Sequence, residues 1–112
     1  MDIYNSYNLY ELFFFVYLQK IIMAQEEIKR IICDILRFIT GKNEIYDYLN
    51  LHDDLDIDFF YHSELECDII NNFKITNITS SEWERFWRSN PTVYELCLFI
   101  ENKIYDMGKR TN

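Results

Sequence analysis

The sequence predicts an all-α fold, a small four-helix bundle with an additional N-terminal segment. Three observations predict it. Apolar residues recur at helical spacing along most of the chain, and no segment alternates long enough to make a strand. Two glycines and one proline in 112 residues leave little material for turn-rich β structure. With 49% apolar and 18% aromatic residues, a chain of this length can fill one core and fold as one domain without staples.

The elements follow in order. Ile28, Ile31, Ile32, Ile35, Leu36 and Ile39 form one apolar stripe, which predicts an amphipathic helix over residues 25–40. Glu26 and Glu27 suit the positive end of its dipole, and Gly41 suits a C-cap. Residues 42–58 have no clean period. They read as a long loop pinned to the core by Ile45, Tyr46, Tyr48, Leu49, Leu51 and Leu55. Asp58 is placed to cap a second helix running to about Phe73, with Leu65, Ile69, Ile70 and Phe73 facing inward. Residues 74–78 form a connector. Ser80 or Ser81 then starts a short helix, and Ser81 with Glu84 fits a capping box. Trp83, Phe86 and Trp87 on that helix have the spacing of core residues more than of a ligand face. Asn90-Pro91 ends it, and Thr92 caps a last helix. The stripe of that last helix is Val93, Leu96, Cys97, Ile100 and Ile104, and Gly108 marks its expected end. The helical domain is thus expected over residues 23–108, with a tail at 109–112.

Residues 1–22 read as an apolar extension. The run from Leu12 to Leu18 lies between Glu11 and Gln19-Lys20 and is too short to span a bilayer. Asp2 stands where a secretory signal has basic residues, and no small-residue cleavage site follows. The extension suits an added helix capping the domain or an interface segment, and exposed aromatics there would support a homodimer. Met23-Ala24-Gln25-Glu26-Glu27 also reads like a natural beginning.

Cys33, Cys67 and Cys97 include no C-x-x-C pair, so neither a disulfide framework nor a zinc site is expected. All three fall in helical patterns and read as small core hydrophobes, which fits a reducing cytoplasm.

The formal net charge is −8, and its placement matters more than its sum. Residues 43–73 contain Glu44, Asp47, Asp53, Asp54, Asp56, Asp58, Glu64, Glu66 and Asp68, with no Lys or Arg. Such a field repels nucleic acid and attracts basic protein surfaces. The commoner role of an acidic run is a solubilising face. Here, however, it is interleaved with Phe59, Phe60 and Tyr61, of which two packing into the core is an equal expectation.

Other chemistry finds little support. Asp54-x-Asp56-x-Asp58 opens like a calcium loop, but the loop's required Gly and Glu positions hold Phe59 and Leu65. His52 and His62 have no matched nucleophile or ligand set. Two glycines do not build a phosphate loop. No catalytic residue, metal or cofactor is expected.

The run Asp53-Asp54-Leu55-Asp56-Ile57-Asp58 resembles the acyl carrier protein family, in which an acidic-Asp-Leu-Gly-x-Asp-Ser-Leu run opens the second helix. Ile28 to Leu36 is similar to that family's first helix. Glu64-Leu65 matches a pair in the second, Phe73 a phenylalanine near its end, and Thr92-Val93 the opening of the last. The resemblance covers roughly residues 25–104 and implies an acyl-carrier-like bundle. It departs at the decisive position. Carriers hold there the Ser that bears phosphopantetheine, and this chain has Phe59, followed by Phe60. Asp56 replaces the motif glycine. The chain more closely resembles divergent bacterial carrier-like proteins that keep the fold and lose the serine, and Ser63, one turn on, is the alternative attachment site.

The resemblance implies docking by an acidic second-helix face, with Asp54, Asp56, Asp58, Phe59, Phe60, Glu64, Glu66 and Asp68 meeting a basic protein partner. That partner is expected to be a carrier-dependent enzyme. The alternative is a basic, nuclease-type toxin, for which the chain would be the immunity protein.

Overall fold

The first helix extends well beyond its amphipathic stripe. In the computed structural model, which describes residues 9–110, α1 spans Leu9–Thr40 without a break. The residues N-terminal to the stripe contain no Gly or Pro to stop it. The extension is therefore not a separate helix folded over the domain. It continues the first helix outward. Residues 1–8 of the extension and 111–112 of the tail lie outside the described residues.

Three further helices follow: α2 (Phe59–Phe73), α3 (Ser80–Arg88) and α4 (Val93–Arg110). The described residues contain no strand, and their only β-type pairing is an isolated antiparallel bridge between Asn50 and Thr92. The chain is a small all-α bundle in which α1 packs against α2 and α4.

The core follows the predicted stripes. Ile32, Leu36, Leu65, Ile69, Val93, Leu96 and Ile100 are fully buried. The loop contributes Leu51, Leu55 and Ile57, and the connector contributes Ile75. Each such side chain gains roughly 1.5–3 kcal/mol from leaving water. No polar or charged residue joins them among the described residues. Cys33 is buried and Cys97 half-buried, but Cys67 is exposed; on α2 it lies two positions from Leu65 and so turns away from the core. Ile70, expected inward, is exposed for the same geometric reason, one residue past the Leu65–Ile69 stripe. Tyr46 and Tyr48 do not pin the loop. They stack on each other at the surface, with ring centroids 5.6 Å apart.

The caps are mostly where the sequence places them. Gly41 adopts φ 72° and its N–H reaches the Arg37 carbonyl at 2.9 Å. The Asp58 carboxylate accepts from the Phe60 N–H at 3.1 Å, capping α2. Thr92 and Glu95 form a reciprocal box at the start of α4, each side chain accepting from the other's backbone N–H at 3.2 Å. At α3 the box lies two residues earlier than expected. Thr79 is the N-cap and Glu82 its partner, not Ser81 and Glu84. Glu82 there also meets Lys103 of α4, a tertiary contact that Glu84 does not make. Gly108 does not end α4, which continues to Arg110.

Candidate functional site

The acidic loop is held by one asparagine. Asn50 Oδ1 accepts from the N–H groups of His52 (2.9 Å) and Asp53 (2.7 Å), while its Nδ2 donates to the Asn90 carbonyl at 3.0 Å. The Asn50 N–H donates to the Asp54 carboxylate at 2.7 Å. Backbone bonds from Leu51 N–H to Pro91 O, Val93 N–H to Leu49 O and Tyr94 N–H to Asp47 O sew the same loop to the start of α4. Lys29 anchors it to α1 by an ion pair with Asp47 at 2.9 Å. The chain leaves this knot through Asp56 at φ 57°, a left-handed conformation that short polar side chains tolerate. It then enters α2 at Asp58.

This arrangement exposes Asp54, Asp56, Asp58, Phe59, Phe60 and Glu64. The aromatic pair is the clearest feature. Phe59 is 81% and Phe60 85% exposed, although phenylalanine ranks among the residues most often buried. Tyr61 is also exposed, so packing of two of the three into the core, the equal expectation, does not occur. Ser63 is exposed on the same helix, one turn from Phe59.

The three carboxylates of α2 do not share one face. Residues two apart on a helix point to different sides, whereas residues four apart are neighbours. Glu64 and Asp68 therefore share a flank. Asp68 lines a shallow cleft with Arg30, Asp34 and Phe38 of α1. Glu66 turns the other way, toward α3, where it accepts from the Trp87 indole N–H at 3.0 Å. Along the loop, Lys42 tempers the field. Its Nζ donates to the Asp54 carbonyl at 2.6 Å and lies 3.4 Å from the Asp56 carboxylate. The sequence window free of cations begins at the next residue, so sequence counting alone misses this neighbour.

A second cluster lies between α2 and α3. The His62 ring stacks on Trp87 with centroids 3.8 Å apart and planes 3° from parallel. Phe59 sets its ring against His62 at 5.9 Å, and Trp83 continues the row beyond Trp87 at 6.4 Å. Burial against Trp87 holds the His62 imidazole below its ordinary pKa of 6.5, with Glu66 opposing the shift. These rings line a cleft of about 430 Å³ together with Ser63, Glu66, Glu84 and Arg88. Trp83 and Phe86 are core residues, as their spacing predicts, whereas Trp87 is only half-buried. The His62–Trp87 stack joins residues far apart in sequence, and no local pattern signals it.

Among the described residues, no group of three His, Cys, Asp or Glu side chains is placed to hold a metal ion. No helix there is long and apolar enough to cross a membrane. No protein-family model, curated protein or solved structure matches the chain.

Proposed function

We propose that this protein is a non-enzymatic binding module whose acidic loop and α2 face dock a basic protein partner. In this reading it is a carrier-like bundle that has exchanged its prosthetic-group serine for an aromatic contact. One observation carries it. Phe59 and Phe60 stand almost fully exposed at the first turn of α2, beside Asp54, Asp56, Asp58 and Glu64. Exposed carboxylates steer encounter with a cationic surface, and aromatic side chains supply much of the affinity once contact is made. Two large exposed aromatics inside a strongly acidic field combine both parts of such an interface.

Capture from lysate by the immobilised protein, at low and at high salt, tests the proposal. A basic protein should be retained at low ionic strength and released as salt rises. Phe59→Ser with Phe60→Ser should abolish retention without lowering stability, because neither ring is buried. Retention of lipid or polyketide enzymes supports the carrier lineage, and retention of a nuclease supports the immunity alternative. Ser63 as an attachment site is tested separately. A mass increase after incubation with a phosphopantetheinyl transferase, lost in Ser63→Ala, would make the chain an active carrier.

The exposed apolar surface of α1 from Leu9 to Ile22 favours one additional partner, a second copy of the chain. Light scattering across a concentration series measures that self-association.

A further inference from the structure

The cleft between α2 and α3 has a composition that neither a core nor a plain acidic face explains. It is lined by a row of rings, Phe59, His62, Trp87 and Trp83, in which His62 and Trp87 stack face to face with nearly parallel planes and Phe59 meets His62 edge-on. Its sides carry two carboxylates. Glu84 is engaged by Arg88 one turn along α3. Glu66 is fixed differently: its Oε2 is held by the Trp87 indole N–H. Its other oxygen has no hydrogen-bond partner among the described residues. The Trp87 bond therefore orients a carboxylate beside the ring stack and leaves half of it available.

We propose that this cleft receives an arginine side chain of the partner protein, the guanidinium packing on the exposed Phe59 ring and along the edges of the His62–Trp87 stack while Glu66 accepts its hydrogen bonds. The inference rests on the acidic docking reading above and names the residue that the docking surface grips. Charge selects a cation: Glu84 and Arg88 neutralise each other in the lining, which leaves the Glu66 carboxylate as its uncompensated charge, and Asp58 lies at the neighbouring helix start. Shape selects arginine over lysine. A planar guanidinium lies flat on an aromatic face and offers paired N–H donors to a carboxylate, whereas an ammonium is a compact, strongly hydrated point charge. Size fits as well. A cleft of about 430 Å³ sits toward the small end of ligand sites and admits one long side chain. The Ser63 and Ser80 hydroxyls in the lining disfavour a wholly apolar occupant.

The molecule carries its own reporter. Its two tryptophans are Trp83 and Trp87, and both line the cleft. The full chain is titrated with blocked tetra-arginine, tetra-lysine and tetra-citrulline peptides. Intrinsic fluorescence and the NMR signal of the Trp87 indole N–H are followed together. Tetra-arginine should shift both signals saturably, tetra-lysine should bind about threefold or more weakly, and neutral tetra-citrulline should leave both unchanged. Glu66→Gln keeps an acceptor for the indole but removes the charge, and should weaken tetra-arginine about tenfold. Phe59→Ala alters a ring that is 81% exposed, so the fold survives, and it should weaken tetra-arginine about threefold.

Equal binding of the arginine and lysine peptides, unaffected by Phe59→Ala, would overturn the cleft assignment and leave the acidic docking surface standing. Binding of tetra-citrulline as tight as tetra-arginine would overturn the cationic occupant. No binding of either basic peptide at low salt would remove both the cleft and the docking reading on which it rests.

Discussion

Single side chains decide the local order of this protein. Asn50 makes bonds to His52, Asp53 and Asn90 with its side chain alone, adding to the backbone bonds that hold the acidic loop against the start of α4. Asn50→Ala should cost about 2 kcal/mol and speed amide exchange at residues 53–56, read by denaturant midpoint and hydrogen exchange. Glu82 is the second such residue. The Lys103 ammonium, first, and the Thr79 backbone N–H hold its pKa down at about 2, against an ordinary 4.5. A depressed carboxylate contributes stability that is complete above pH 4.5 and is lost as pH falls toward 2. Lys103→Met should therefore flatten the acid limb of a stability profile across that window. The thiols separate by environment. Burial pushes Cys97 up to about 12 and raises Cys33 as well, while Cys67 is exposed. Alkylation of the native protein at neutral pH should label Cys67 first, as peptide mapping would show.

At the scale of the element, the helices differ in what holds them. The portion of α1 beyond residue 25 is held by its buried stripe, whereas the large apolar residues from Leu9 to Ile22 are exposed. Tyr17 and Ile21 line a cleft with Ile104 and Tyr105 of α4. Removing residues 1–22 should move Tm by less than about 5 °C and should reduce self-association. Near-unfolding of the truncated chain would show that the extension is part of the core. In α2 the spacing of carboxylates matters more than their number. Glu64 and Asp68 form one flank and Glu66 the other, so Glu64→Lys with Asp68→Lys should weaken partner capture while leaving the tetra-arginine titration of the cleft nearly unchanged.

For the whole molecule, the placement of charge matters more than its sum. The chain carries −8, and its cation-free stretch folds into one loop and one helix. Apolar and acidic side chains are separated in space: Leu51, Leu55 and Ile57 point into the core from the same loop whose Asp54, Asp56 and Asp58 point to solvent. Alternation between adjacent residues makes this possible, since each buried leucine or isoleucine fixes the acidic neighbour outside. Leu55→Ala should thus destabilise the fold by about 2–5 kcal/mol and also blur the docking edge. Asp54→Asn should weaken capture with less than about 1 kcal/mol lost.

The sequence by itself determined the all-α class, the stripes that form the core, the caps at Gly41, Asp58 and Thr92, and the acidic surface, because each depends on spacing along one helix or on local charge. It left open where Phe59 and Phe60 go, since a ring at a helix start packs inward or outward according to what lies across from it. Only the tertiary structure decided that they face water, that Glu66 meets the Trp87 indole, that Lys42 folds back on Asp54 and Asp56, and that His62 stacks on Trp87. Those are contacts between segments distant in the chain, and their geometry exists only once the helices have packed.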